Sequence, residues 1–132
     1  PKQYDRRLAY GRSKLANLHF TYELSSRLKN TNITVNAVDP GGVATNFSRN
    51  NGLYAWLKHY LSYILQLKLI SPRKAAETIV YLASSRDLSV TTGKYLFEKK
   101  QISSSPASYS KDAALKLWQL SLKLTGIDDL PL

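Results

Sequence analysis

The spacing of hydrophobic and polar residues divides the chain into helical and strand-like runs. From Leu8 to Leu28, apolar residues recur every three or four positions, which predicts a long helix with apolar stripes on two sides. Ile33–Val38 is rich in β-branched residues and predicts a buried strand. It is followed by Pro40-Gly41-Gly42, a turn sequence that lies beyond the carboxyl end of that strand.

A second group of runs follows a polar segment at 46–52. Leu53–Ile70 keeps helical spacing with a narrow polar stripe, which predicts one or two short helices that bury most of their surface. Four roles stay open for this run: a lid over an apolar substrate, a partner contact, an interfacial membrane contact, or a plain core helix.

The remaining runs carry clear start and stop signals. Ser71-Pro72 predicts a helix start, with Ser as the N-cap, and that helix extends to about Ala83. Thr91–Phe97 predicts a turn into a second strand, and Ala113–Thr125 a last helix with Gly126 as C-cap. A helix, a short turn and a strand in this order predict an α/β fold with a parallel sheet.

Composition narrows the chemistry. The 132 residues contain no Cys, which excludes disulfides, thiol nucleophiles and cysteine-bound metals, and no other metal site is expected. A hydrophobic fraction of 43% predicts one packed domain. There is also no Met, and we interpret the chain as a piece of a longer protein.

The net charge of +10 admits nucleic acid, anionic lipid or an anionic cofactor as partners. The basic residues are spread along the chain without a run of five, and no RNP or zinc-finger pattern is present. A solvated basic surface is therefore the preferred interpretation, and no nucleic acid partner is expected.

The strongest candidate chemistry lies at Tyr10 and Lys14, four positions apart on the predicted first helix. Such residues share a helical face, and a neighbouring ammonium favours a phenolate, so the tyrosine can exchange a proton with a substrate oxygen. The same spacing recurs at Tyr54/Lys58 and Tyr95/Lys99, so the spacing alone is weak evidence.

The surroundings of the first pair are more specific. Tyr10-x-x-Ser-Lys14-Leu-Ala-Asn, the Ile33–Val38 run, Pro40-Gly-x-Val43-x-Thr45, the Ser-Pro helix and Thr-x-Gly-x-Tyr95 occur in order. This set resembles the catalytic, C-terminal half of the short-chain dehydrogenase/reductase family, and within it the retinol-dehydrogenase-like members. The resemblance implies part of a Rossmann-like, doubly wound parallel sheet, with 46–70 as a variable substrate lid.

The resemblance also implies an activity and a set of roles. The parent protein would interconvert an alcohol and a carbonyl on an apolar, retinoid- or lipid-like substrate with NADP(H), NAD(H) being left open. Tyr10 would be the general acid/base, and Lys14 would lower its pKa and bind the nicotinamide ribose. The nicotinamide carboxamide would meet a set of turn residues: Pro40, Gly41, Val43 and Thr45.

Two departures from the family limit this inference. The glycine-rich dinucleotide loop and the upstream catalytic Ser and Asn have no counterpart in the sequence, so we expect the chain alone neither to bind dinucleotide tightly nor to turn over. A catalytically silent form that binds a full-length relative, or a homodimer through the helix bearing Tyr10, is the alternative. A basic membrane-surface module rests on charge alone. The compartment stays open, with an intracellular, membrane-associated location such as the endoplasmic reticulum suggested by the resemblance.

Overall fold

The computed structural model describes residues 3–43, 57, 61 and 70–129. Within them the chain is α/β, which confirms the predicted fold class. The elements follow in the order α1 (Arg6–Arg27), β1 (Ala37–Asp39), α2 (Pro72–Ser84), β2 (Tyr95–Phe97), β3 (Lys100–Ile102) and α3 (Lys111–Thr125), with single 3₁₀ turns at Arg86–Leu88 and Pro106–Tyr109.

The three strands form one sheet in the order β1-β2-β3. Val35 accepts from the N–H of Gly93 at 2.7 Å, and the N–H of Ala37 donates to Lys94 at 2.8 Å, so the partners advance together and β1 runs parallel to β2. A two-residue turn joins β2 to β3, which makes that pair antiparallel. The sheet is mixed and is consistent with part of a Rossmann-like fold; β3 was not predicted from the sequence.

The first predicted strand begins later than its composition indicates. Ile33 is 57% exposed, and regular pairing starts only at Ala37. The N–H of Val35 donates to the side-chain hydroxyl of Thr92 at 3.0 Å instead of to a backbone carbonyl. This side-chain contact interrupts the ladder, so the β-branched run is extended but only its end is a strand.

The helix boundaries agree with their capping signals. Ser71 accepts from the N–H of Lys74 at 3.2 Å, with Pro72 in the first turn, as predicted. Gly126 closes α3 in the left-handed conformation that its predicted C-cap role requires. At the start of α1, Asp5 accepts from the N–H groups of Arg7 and Leu8 at 2.8 and 3.0 Å.

One compact unit comprises Pro1–Ala37, Arg86–Tyr95 and Gln101–Leu132. In it α1 packs against α3 and the turn at 106–109. Phe20 stacks on the buried Trp118 with ring centres 5.8 Å apart, and the Arg27 guanidinium lies 4.5 Å from the Trp118 ring. Arg27 also pairs with Glu23 at 2.8 Å and Asp129 at 2.7 Å, which ties the segment after α3 to α1.

The buried face of α1 differs from the apolar stripes predicted for it. Its buried residues are His19, Thr21 and Ser25, whereas Phe20 is 49% exposed. Ser25 is small because Gly93 approaches it closely: a Cβ on Gly93 would lie 2.9 Å from the Ser25 hydroxyl oxygen. The close approach of the Gly93 backbone, which periodicity does not encode, therefore accounts for a small residue at Ser25.

The second unit comprises Val38–Ser85 and Leu96–Lys100. Leu96, Ala75 and Thr78 are buried within it, and Val43 forms a parallel bridge with Ile70. Most of the run at 46–70 that was predicted as a substrate lid lies outside the described residues. Among the helices that the structure describes, none combines the length and apolar character needed to cross a membrane.

Candidate functional site

Tyr10 and Lys14 lie one turn apart on α1, within the first unit. The Lys14 amine is 5.4 Å from the centre of the Tyr10 ring, close enough for a cation–π contact with the phenol. Tyr10 is 53% exposed, so its ring is reachable from outside this unit. The helix is well formed here, with the Ser13 hydroxyl donating back to the Tyr10 carbonyl at 2.8 Å. The chain thus presents an ammonium and a phenol on one accessible helical face.

The other copies of the Tyr-x-x-x-Lys spacing differ in structure. Tyr95 begins β2, and Lys99 occupies the turn after it with φ +63°. The Lys99 amine pairs with Glu77 at 3.1 Å. The Tyr54/Lys58 pair lies outside the described residues. Within the described part of the chain, the first copy is therefore the one that places its two side chains on a single helical face.

The turn after β1 lies in the second unit. Gly41 has φ +70° and its N–H donates to the Asp39 carboxylate at 2.8 Å, which closes a tight turn directly after Pro40. A Cβ at Gly41 would lie 3.2 Å from a ring carbon of Phe97. Both the left-handed backbone and the narrow space against Phe97 favour glycine at this position.

Val43 follows in a short parallel pairing. The N–H of Ile70 donates to the Gly42 carbonyl at 2.9 Å, and Val43 is the residue bridged to Ile70. In a parallel pair of this register, the bridged residue directs its own N–H and C=O away from the partner strand. Val43 therefore offers one donor and one acceptor on the opposite side, a pattern that suits a primary carboxamide. Thr45 lies outside the described residues.

A cluster of hydroxyl groups in the first unit was not anticipated from the sequence. Ser104 shares hydrogen bonds of 2.6 Å with both Tyr22 and Ser108, and its N–H donates to the Tyr109 hydroxyl at 3.0 Å. The rings of Tyr22 and Tyr109 stack at 5.4 Å. Burial raises the pKa of the Tyr22 phenol, whereas hydrogen bonding to Ser104 lowers the pKa of Tyr109. The cluster fastens residues 104–109 to α1, and its only sequence signal was the run of serines before Pro106.

Several polar groups of the described residues suit hydrogen bonds to a nicotinamide cofactor. Among the described residues, no group of three or more His, Asp or Glu side chains could hold a metal ion. The Tyr10 hydroxyl and the Lys14 amine are donors of the kind that ribose hydroxyls accept. The outward N–H and C=O of Val43 suit a planar amide group.

Comparison with known proteins finds one matching family and several similar dehydrogenases. Residues 2–98 match the family described as Enoyl-(Acyl carrier protein) reductase. The chain is 35% identical to retinol dehydrogenase 14 of Homo sapiens over 126 residues, and 38% identical to retinol dehydrogenase 12 of Mus musculus over 126 residues. It is 38% identical over 135 residues to the chloroplastic short-chain dehydrogenase TIC 32 B of Brassica napus.

These alignments cover nearly all of this chain but a minor part of each relative. They take in 96% of the chain and 38% of human retinol dehydrogenase 14, and 96% of the chain and 39% of the mouse protein. The plant protein is covered to 40%, with 99% of this chain aligned. The family match and the ordered motifs agree: the chain belongs to the short-chain dehydrogenase/reductase family, and within that family it is similar to the retinol dehydrogenases.

Proposed function

We propose that the whole protein is an NADP(H)-dependent oxidoreductase that interconverts an alcohol and a carbonyl on an apolar, retinoid- or lipid-like substrate. The observation that carries this proposal is the Lys14 amine held 5.4 Å from the Tyr10 ring on an exposed helical face. Family membership supports the redox class, and the names of the retinol dehydrogenases support the substrate class. The choice of NADP(H) over NAD(H) rests on the resemblance alone.

Tyr10 and Lys14 have distinct proposed roles. The Tyr10 hydroxyl donates a proton to the carbonyl oxygen during reduction and takes it from the alcohol during oxidation. Lys14 stabilises the phenolate by its charge and donates hydrogen bonds to the ribose hydroxyls. The bound nicotinamide supplies or accepts the hydride. For these roles, α1 has to keep the ammonium and the phenol on one helical face. Its regular hydrogen bonding does this.

The turn after β1 is proposed to hold the carboxamide of the cofactor. Pro40 and Gly41 shape the turn, and Val43 binds through its backbone N–H and C=O. Thr45 is proposed to add a side-chain hydroxyl. Support comes from the tight turn that Gly41 makes after Pro40 and from the register of the Val43–Ile70 bridge. The segment 46–70 is proposed as the variable lid that selects an apolar substrate.

A chimaera tests the proposal without assuming the activity of the chain alone. Residues 1–132 replace the aligned segment of human retinol dehydrogenase 14, to which the chain is 35% identical. Oxidation of NADPH with all-trans-retinal is then compared for the chimaera and its Tyr10→Phe variant. We expect the variant to lose about 100- to 10,000-fold in kcat, because general acid–base catalysis contributes factors of this size.

The control separates chemistry from folding. Tyr10→Phe keeps the ring that contacts Lys14, so NADPH binding measured by fluorescence should be unchanged. Tyr22→Phe, which removes a hydroxyl elsewhere on α1, should leave kcat within a small factor. Equal turnover by the chimaera and its Tyr10→Phe variant would remove Tyr10 from the mechanism.

A catalytically silent protein that binds a full-length relative is the second candidate. It is favoured by the exposed apolar residues of α1, since Leu8 is 51% and Phe20 49% exposed. Multi-angle light scattering of the chain, alone and mixed with human retinol dehydrogenase 14, tests this candidate. A monomer that stays separate from the relative would count against it.

A further inference from the structure

A third polar side chain lies on the face of α1 that carries Tyr10 and Lys14. Because an α-helix turns by about 100° per residue, Asn17 shares an arc of roughly 60° with these two residues, about 10 Å further along the axis than Tyr10. Asn17 is exposed, as Tyr10 and Lys14 are. The next residue on this arc, Thr21, is only 8% exposed. The exposed part of the face therefore extends from Tyr10 to Asn17 and ends there.

The side-chain amide of Asn17 is available to a ligand. In the part of the chain that the structure describes, this amide makes no hydrogen bond, whereas the Asn17 backbone carbonyl accepts from the Thr21 hydroxyl at 2.9 Å. The exposed Ser13 differs, because its hydroxyl donates to the Tyr10 carbonyl at 2.8 Å. A primary amide offers two N–H donors and one C=O acceptor. It can therefore both donate to a sugar hydroxyl and accept from one.

The direction of the side chains places Asn17 next in line after Lys14. Side chains of an α-helix lean towards its N-terminus and cover the surface of the preceding turn. The Lys14 amine follows this rule, since it lies 5.4 Å from the centre of the Tyr10 ring, one turn earlier. By the same lean, Asn17 covers the surface beside the turn of Lys14. A ligand that lies along this face from Tyr10 past Lys14 therefore reaches Asn17 next.

We propose that Asn17 is a further binding residue for the nicotinamide nucleotide. Its amide shares the hydroxyls of the nicotinamide ribose with Lys14 and takes the hydroxyl that is further from the nicotinamide ring. This proposal rests on the proposed function, in which Tyr10 acts beside the ring and Lys14 binds the ribose, so that the order along α1 leads from ring to ribose. Asn17 exchanges no proton with the substrate, and its contribution is to the affinity for the cofactor.

The helix itself gains nothing from an asparagine at this position. Asparagine is a poor former of helix interiors, because its side chain competes for nearby backbone groups. In other contexts such a residue is compensated by a hydrogen bond to the backbone or to a neighbouring side chain. Within the described residues the Asn17 amide has no such bond, and the position lies well inside α1. A contact with a bound molecule accounts for an amide here.

The test uses the chimaera with human retinol dehydrogenase 14 and two probes, with dissociation constants measured by isothermal calorimetry. One probe is NADPH, and the other is adenosine 2′,5′-bisphosphate, which contains the adenosine half of NADPH but neither the nicotinamide nor its ribose. Asn17→Ala should weaken NADPH binding about two- to tenfold, the effect of one hydrogen bond, and leave the bisphosphate unaffected. Gln119→Ala removes an exposed amide from α3 and is the matched control, with both affinities unchanged.

The two probes separate a ribose contact from a structural role. Alanine is the better helix former, so Asn17→Ala is expected to fold. If it weakens both probes equally, or leaves NADPH affinity unchanged, Asn17 does not bind the ribose. Failure of the proposed function has a different signature, which is equal turnover by the chimaera and its Tyr10→Phe variant. Loss of turnover in Tyr10→Phe together with unchanged NADPH affinity in Asn17→Ala would overturn the role of Asn17 alone.

Discussion

At the residue scale, contacts that follow from the spacing of residues along a helix could be predicted from the sequence. Contacts that depend on the close approach of segments far apart in the chain could not. Tyr10 and Lys14 could be paired in advance because four positions make one helical turn. The left-handed turn at Glu98 and Lys99 could not, since neither residue type favours that conformation. The contact of Gly93 with Ser25 joins residues far apart in sequence, so no local pattern announces it.

Gly93 and Gly126 offer a matched test of close approach. Both have φ +66°, but a Cβ on Gly93 would meet the Ser25 hydroxyl oxygen at 2.9 Å, whereas one on Gly126 would meet nothing within 4 Å. We expect Gly126→Ala to lower the free energy of unfolding by about 1–2 kcal/mol, the cost of a left-handed alanine. Gly93→Ala should lower it by roughly a further 1–3 kcal/mol through overpacking.

Urea denaturation followed by far-UV circular dichroism measures both variants. Their difference isolates the steric contribution because the backbone contribution is the same. Equal losses would show that Ser25 moves aside at no cost. The double variant Gly93→Ala with Ser25→Ala should recover part of the loss, since it removes the hydroxyl that the new methyl group meets.

At the element scale, helices were more predictable than strands. Ser71-Pro72 and Gly126 mark helix ends through local chemistry, and the structure has helix ends there. The strands have three residues each, too short for a period of two to be recognised, and Lys100–Ile102 is exposed at every position. The length of α1 was predicted, but its polar buried face depends on contacts with distant elements.

The N-cap of α1 should make the stability of the fold depend on pH. Hydrogen bonds from the N–H groups of Leu8 and Arg7 lower the pKa of Asp5 below its ordinary value of 3.8. A carboxyl whose pKa is lower in the folded state stabilises the fold above the unfolded pKa, and this contribution is lost as pH falls through the folded pKa. Asp5→Ala should therefore lower the melting temperature at pH 7, and this effect should shrink as the pH falls below 3.8, the ordinary pKa of the carboxyl.

Thermal melts at pH 7, 4 and 2 follow the difference between the wild type and Asp5→Ala. Asp128→Ala, which removes an exposed carboxylate after α3, serves as the control for the change in net charge. A difference that is as large at pH 2 as at pH 7, or one that the Asp128→Ala control reproduces at pH 7, would show that the cap of α1 does not act through its ionised carboxylate.

At the scale of the whole molecule, the sequence carries the proposed proton-transfer pair but no glycine-rich loop for a dinucleotide. Its six glycines include no run of the type that binds pyrophosphate. Each of the three helices in the described part of the chain has a side-chain N-cap: Asp5 in α1, Ser71 in α2 and Ser110 in α3. The resemblance to the short-chain dehydrogenase/reductase family implies that the motifs of this chain would belong to the catalytic portion of the fold.

Without a glycine-rich loop, the isolated chain should not bind the dinucleotide tightly. Isothermal calorimetry of the isolated chain with NADPH should give no binding in the micromolar range, because the sequence contains no glycine-rich loop of the kind that holds a pyrophosphate at a helix N-terminus. The chimaera with human retinol dehydrogenase 14 should bind NADPH, since it adds the remaining part of that relative. Micromolar binding by the isolated chain would mean that residues 1–132 already hold the dinucleotide. Lys14 and the turn residues would then do more than the alignment of the nicotinamide that is proposed for them. Asp5, the acidic N-cap of α1, would be the first position to test for a role in that binding.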